Sequence, residues 1–166
     1  MTLAVYAGSF DPPTVGHLWM IEQGVALFGS LDVAVGVNPE KRALFTPEER
    51  VDMLRRSTAD LPGIRIDTFT NQFLISHAKS LGARFFLRGV RNEADYVYER
   101  AMRNVNGDLA PGITTIFLMP PRPISEVSSS MVKAMTGPEG WEAIVKSYVP
   151  APVFEKLVEV SRGQPR

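Results

Sequence analysis

Gly8-Ser-Phe-Asp-Pro-Pro-Thr-Val-Gly-His17 follows the apolar run Leu3–Ala7 and precedes apolar residues at Leu18, Ile21, Val25 and Phe28. The run reads as a short buried strand. Asp-Pro-Pro is turn chemistry, because a residue before proline is pushed out of helical conformation. The residues from His17 to Phe28 have helical spacing. A strand that enters a helix through a glycine-bearing turn is the first half of a βαβ unit. Such a unit presents the free N–H groups of a helix start beside the carboxyl end of a strand, which is a setting for an anion.

Working outward from that unit, the same alternation repeats. Leu31–Val37 reads as a second strand, Ile64–Phe69 as a third, Arg84–Leu87 as a fourth and Thr114–Leu118 as a fifth. Between them, Thr46-Pro-Glu-Glu49 combines a capping threonine, a first-turn proline and a glutamate three residues on, so a helix is predicted to about Ser57. Gln72–Leu81 reads as a helix ended by Gly82, and Asn92 can cap another that runs to about Asn106. Ser128–Ser130 open a further helix that Gly137-Pro138 breaks, and short amphipathic helices are predicted near Trp141–Tyr148 and Pro152–Val160. Alternation of this kind gives an α/β fold with a mostly parallel sheet covered by helices on both faces. One domain over 1–160 is expected, with 161–166 as a frayed tail.

Composition removes several chemistries. There is no cysteine, so disulfides, thiolate metal sites and a cysteine nucleophile are excluded. Two histidines cannot supply a three-histidine zinc site. Eighteen lysines and arginines balance eighteen aspartates and glutamates, which argues against a general nucleic-acid binder. No apolar run approaches the roughly 20 residues that span a bilayer. The start of the chain shows no basic leader, so no signal peptide and a cytoplasmic location are expected.

Four segments lie just after strands, where ligands bind in parallel sheets. In the first, Gly8 and Ser9 can turn amides toward a phosphate, Gly16 keeps the backbone slim, and His17 can donate to an anion. A lone histidine in a first helical turn is ordinarily a surface residue. The glycines and serine around this one favour a ligand. In the second, Lys41 and Arg42 could reach a phosphate, although alone they would read as solvated loop charges. In the third, Arg88-Gly-Val-Arg91 places two guanidinium forks around a glycine. Salt bridges to Glu93, Asp95 or Glu99 are the competing reading. In the fourth, Ser128–Ser130 offer hydroxyls and amides at a helix start, with simple capping as the alternative. All four would converge on one sheet edge, in a cleft that works by position and charge rather than by covalent catalysis.

The first segment resembles the T/HxGH signature of the nucleotidyltransferase superfamily, and Ser128-Ser-Ser-Met-Val-Lys133 resembles its ISSSxxK/R signature. Within that superfamily the chain resembles the phosphopantetheine adenylyltransferase family. The likeness rests on Thr14, on Lys41 before Phe45-Thr-Pro-Glu-Glu-Arg50, and on Arg88-Gly-Val-Arg91 followed by Asp95-Tyr-Val-Tyr-Glu99. Phe117-Leu-Met-Pro120 and Tyr148-Val-Pro150 also match, so that the likeness runs from about residue 3 to residue 157.

The resemblance implies a Rossmann-like domain on a five-stranded parallel sheet, and transfer of AMP from ATP to 4′-phosphopantetheine with release of pyrophosphate. It implies that His17, Lys41 and Arg88 are catalytic. The acceptor would be held by Ser9, Lys41, Arg88, Leu74 and Asn106. ATP would be held by Ser9, Phe10, His17, Gly89, Val90, Arg91, Glu99 and the stretch Ile124, Ser125, Glu126, Val127, Ser128, Ser129 and Ser130. It further implies Mg2+ carried mainly on the ATP phosphates, a homohexamer of two trimers, and possible feedback by coenzyme A. No nucleic-acid or membrane partner is implied.

Two alternatives remain open at this point. Pro12-Pro13 is shared with nicotinate mononucleotide adenylyltransferases, and a mononucleotide acceptor is the rival within enzymes, with a cytidylyltransferase behind it. A nucleotide-binding module without catalysis is the rival from another class. His77, on the predicted Gln72–Leu81 helix, is assigned to the acceptor-side helix surface rather than to catalysis.

Overall fold

In a computed structural model of the chain, residues 2–37, 42–70 and 73–163 are described. The expected alternation is present. The order is β1 (Thr2–Gly8), α1 (Val15–Phe28), β2 (Gly29–Gly36), α2 (Pro47–Ser57), β3 (Ile64–Phe69), α3 (Leu74–Ser80), β4 (Phe85–Gly89), α4 (Glu93–Leu109), β5 (Thr114–Leu118), α5 (Arg122–Ser125), α6 (Ser129–Met135), α7 (Trp141–Val145) and α8 (Ala151–Gly163). The strands form one five-stranded sheet in the order β3-β2-β1-β4-β5. Every pairing in it is parallel. The chain therefore builds outward from β1 to β3, crosses back, and builds outward again from β4. The reversal falls between β1 and β4, which is where such sheets open a crevice.

Each face of the sheet has its own core. On one, Ala4, Tyr6, Leu31, Val33 and Val35 alternate inward against Met20 and Ile21 of α1 and Val51 and Leu54 of α2. On the other, Val5, Ala7, Ala34 and Phe86 meet Ile75 and Ala78 of α3. A third cluster joins Phe45 and Met53 to Val132, Trp141, Val145, Val153 and Leu157, so α6 to α8 dock beside α2.

Several boundaries differ from the sequence reading for local reasons. α1 starts at Val15, two residues early, because Thr14 caps it. β4 runs on through Arg88 and Gly89, so Arg88 sits at the end of a strand rather than in a loop. α5 was not predicted; four residues are too few to show a period. α8 continues to Gly163, so Ser161–Gly163 are helical rather than frayed.

Candidate active site

The carboxyl ends of β1 and β4 open into a cleft of about 450 Å³. α1 enters it through an N-terminus built around His17. Thr14 is the N-cap and His17 occupies the third helical position, where a capping box normally holds glutamate or glutamine. The Thr14 amide donates to His17 Nδ1 at 3.0 Å, and Thr14 Oγ1 lies 3.1 Å from the same nitrogen. An amide N–H can only donate, so Nδ1 is the acceptor and the neutral ring carries its proton on Nε2. Phe10 meets the ring edge-on, with centroids 5.0 Å apart. Burial first, and the Arg91 charge second, push the imidazole down to about 4. His17 is thus a neutral donor aimed from a helix start.

The first loop is held from below. Phe10 lies in the left-handed region at φ 49°, a conformation uncommon outside glycine that the surroundings must enforce. Its side chain is fully buried. Arg50, also buried, donates to the Ser9 carbonyl at 2.7 Å and the Gly36 carbonyl at 3.3 Å. Asp11 accepts from the amides of Leu44 and Phe45 at 2.9 Å each, and from Lys133 Nζ at 2.9 Å. Burial opposes ionisation of Asp11, but these amides and Lys133 outweigh it and hold the carboxyl below its ordinary value. Asp11 therefore ties the first loop to the segment entering α2 and to α6.

Arg88 reaches the cleft from β4. Its Nε donates to Glu99 Oε2 and its Nη1 to the Ala7 carbonyl, each at 2.8 Å, while Nη2 donates to Glu99 Oε1. Burial works against the guanidinium, yet the Glu99 carboxylate outweighs it, and the net shift is upward. Three of its five N–H bonds are engaged in this way, which fixes the plane and leaves two for a ligand. Arg91 is fixed similarly, with Nε donating to Asp95 Oδ2 at 2.8 Å.

In the serine triplet the capping alternative holds for Ser128, while all three serines line the cleft. Ser128 Oγ accepts from the Met131 amide as the cap of α6, and Ser129 Oγ donates to the Pro12 carbonyl at 2.8 Å. Two of the three hydroxyls thus serve the protein. The second of these bonds brings the start of α6 against the first loop.

Of the residues singled out from sequence, Ser9, His17, Arg88, Gly89, Arg91, Glu99, Ile124, Val127 and Ser128–Ser130 line the cleft. Phe10 is buried behind it. Val90 is buried too, and its amide donates to the Leu118 carbonyl at 2.9 Å, so neither its side chain nor its N–H faces a ligand. Ser125 and Glu126 lie at the end of α5, outside the lining. Leu74 and Asn106 line a neighbouring groove of about 210 Å³ that shares Arg88, Tyr98 and Glu99 with the cleft. Lys41 lies outside the described residues. A methyl group at Gly16 would meet only ordinary contacts, Thr14 Oγ1 at 3.5 Å and the Val127 carbonyl at 3.7 Å, so protein atoms do not demand a glycine there.

Sequence reasoning gives no role to Arg50, Asp11, Lys133 or Tyr98, although each lies in a stretch it singles out. Thr14-x-x-His17 could have been read as a capping box with histidine in the acidic position. Nothing along the chain pairs Asp11 with Lys133, which are 122 residues apart. The surface placement expected for His77 is overturned. It is buried, and its Nε2 lies 2.8 Å from Oδ2 of Asp32, which is wholly buried in β2.

The sequence profile of the cytidylyltransferase-like family matches residues 5–135. The phosphopantetheine adenylyltransferase of Chromobacterium violaceum is 54% identical over 164 residues, covering 99% of this chain and all of that one. That of Neisseria meningitidis serogroup C is 56% identical over 155 residues, 93% of this chain and 91% of its own. That of Caldanaerobacter subterraneus is 40% identical over 159 residues, 96% and 97% of the two chains. Among solved structures, a Vibrio parahaemolyticus protein described as a nicotinate-nucleotide adenylyltransferase superposes with a TM-score of 0.67 over 99% of this chain and 98% of its own. At 17% identity it speaks for the fold alone.

Proposed function

We propose, from the premise that the chain belongs to the cytidylyltransferase-like family and within it to the phosphopantetheine adenylyltransferases, that it transfers AMP from ATP to 4′-phosphopantetheine. The products are dephospho-coenzyme A and pyrophosphate, a step of coenzyme A biosynthesis. One observation carries the choice of acceptor. A polar cleft lined by His17, Arg88 and Arg91 adjoins, with Arg88, Tyr98 and Glu99 common to both, a groove walled by Leu74, Ile75, Phe86, Met102 and Val105. A phosphate head with a slender, largely aliphatic arm fits that pair of spaces.

A terminal phosphate oxygen of the acceptor attacks the α-phosphorus of ATP. The bond from that phosphorus to the bridging β-phosphate oxygen breaks, and pyrophosphate leaves. A phosphate monoester is largely ionised near neutral pH, so it needs no strong general base. What must be overcome is repulsion between two anions. His17 Nε2–H would donate to the α-phosphate, where negative charge crowds in the transition state. The two uncommitted N–H bonds of Arg88, with Ser9 and Lys41, would hold the acceptor phosphate. Arg91, Gly89 and the start of α6 would hold the nucleotide. Among the described residues no three of His, Asp and Glu gather to hold an ion. Mg2+ would therefore enter on the triphosphate and neutralise part of its charge, as is usual for that ion.

Three further readings accompany this one. The exposed apolar residues Tyr96 and Val97 on α4, which lie outside the linings of the cleft and the groove, support self-association, for which the homohexamer is our reading, to be checked by sizing. Coenzyme A, which carries both an adenylyl group and the arm, would compete at the same two spaces. The enzyme would work in the cytoplasm; among the described residues no helix is long and apolar enough to cross a membrane.

The test is pyrophosphate release from ATP with 4′-phosphopantetheine, nicotinate mononucleotide or nicotinamide mononucleotide as acceptor. Turnover with phosphopantetheine is expected. Release with a mononucleotide alone would overturn the acceptor, and ATP binding without release from any of the three would overturn the enzymatic reading.

A further inference from the structure

α3 has few means of holding its place. It has seven residues and no side-chain cap at its start. Isolated helices of that length do not persist in water. Ile75 and Ala78 bury against Val5, Ala34 and Phe86. Lys79 Nζ donates to the Leu109 carbonyl at 2.9 Å, but that bond is exposed. A buried polar tie adds to these, His77 Nε2 to Asp32 Oδ2 at 2.8 Å, with the imidazole stacked on Phe69 at a centroid distance of 5.6 Å.

Asp32 is an expensive residue in this position. It stands mid-strand in β2, between β1 and β3, and is 0% exposed. Among the described residues its Oδ1 has no hydrogen-bond partner, and Arg65 Nε, 3.6 Å away, belongs to a guanidinium that is itself paired with Asp67. Among the described residues, His77 is the one hydrogen-bond donor to this carboxylate. An apolar side chain there would not carry the cost of burying a carboxylate. A polar pair in its place fixes one arrangement, because displacing α3 takes from a buried carboxylate its one hydrogen-bond donor among the described residues.

α3 is also a wall of the groove. Leu74 and Ile75 line it, with Phe73 at its edge. Leu74 and His77 are three residues apart and so lie on adjoining sides of the helix. We propose that His77 is a positioning residue for the acceptor: its bond to Asp32 pins α3 to β2 and so sets the wall against which the acceptor's arm lies. This rests on the acceptor assignment above, and makes no claim on the reacting atoms.

The test uses His77→Phe, which keeps a ring and loses the donor, and His77→Gln, which keeps a nitrogen near the position of Nε2. Amide hydrogen exchange of α3 and steady-state kinetics in both substrates are the readouts. In His77→Phe, α3 exchange accelerates and the acceptor KM rises, each by about tenfold, the worth of one such bond, while kcat and the ATP KM stay within about twofold. His77→Gln lies nearer the wild type on both. Unchanged α3 exchange, faster exchange with an unchanged acceptor KM, or a Gln variant no better than Phe would each overturn the proposal. If His77→Phe does not fold, pairing it with Asp32→Asn removes the stranded charge and gives the same readouts. A wild-type protein that adenylylates only a mononucleotide sinks the acceptor assignment alone, and the KM split measured with that acceptor then judges the clamp.

Discussion

The chain has two histidines, and the structure puts them to opposite uses. At the start of α1, one ring nitrogen of His17 is saturated by Thr14, and the other faces the cleft. On α3, Nε2 of His77 is engaged by a carboxylate inside the protein. The regions differ in what surrounds the ring. A helix N-terminus has amides in excess, so Nδ1 finds a donor and the ring is turned into a donor at its other end. On the other face of the sheet the ring meets an acceptor, Asp32, so it becomes a fastener. The residue type is the same; the backbone groups and charges around it decide whether it faces substrate or structure.

The sharpest way to break this contrast is to remove each ring in turn. His17→Ala should retain the fold and lose turnover by about 10²–10³, the usual effect of deleting one donor to a transition-state oxyanion. His77→Phe should reverse the pattern, keeping kcat while stability falls by about 1.4 kcal/mol, the equivalent of the tenfold change expected in α3 exchange, because Asp32 loses its hydrogen bond to this ring. Pyrophosphate release and thermal denaturation on both variants check this. Wild-type-like turnover in a folded His17→Ala protein would remove His17 from the proposed chemistry.

How much of this could be read along the chain depends on whether each interaction is local. The alternation of strands and helices is a local pattern, and it gave the sheet, its parallel sense and the edge that holds the cleft. Gly8–His17 was legible because turn, cap and helix follow one another. The grouping of Ser9, His17, Arg88, Arg91 and Ser128–Ser130 follows from topology, since all lie at or past carboxyl ends of strands. What stayed hidden is non-local. Asp32 interrupts the apolar run LDVAVGV, but its partner is 45 residues away, so the chain gave no reason to bury His77. The engagement of Ser129 with Pro12 spans 117 residues. Arg88 was placed in a loop because an arginine and a glycine look like the end of a strand, when β4 carries both.

Acid should sharpen the same comparison. The imidazole of His17 titrates near 6.5 when unfolded and near 4 in the fold. Between those values the unfolded chain binds the extra proton, so this histidine withdraws stability as pH falls from about 6.5 toward about 4, and withdraws none above that range. The melting temperature of the wild type should therefore fall more steeply over that interval than that of His17→Ala. Turnover of the wild type should carry no inflection from this residue between about pH 6 and 9, because the donor is already neutral. An inflection there that disappears in a folded, still measurable His17 variant would mean that the charged ring acts.

The smallest expected effect concerns Thr14, because its two contacts with His17 divide unequally. The hydroxyl accepts from the His17 amide at 3.4 Å and lies 3.1 Å from Nδ1, whereas the backbone N–H donates to Nδ1 at 3.0 Å. Thr14→Val keeps the shape and the backbone donor and removes only the hydroxyl. It should cost about 1 kcal/mol of stability, as loss of a helix cap does. Turnover should fall by no more than about tenfold, because the tautomer is still set by the amide. A loss as large as that of His17→Ala, with the fold intact, would transfer control of the imidazole from the backbone to the hydroxyl. The helix start would then owe its donor to a side chain that another residue could replace, rather than to the turn that Gly8–His17 encodes.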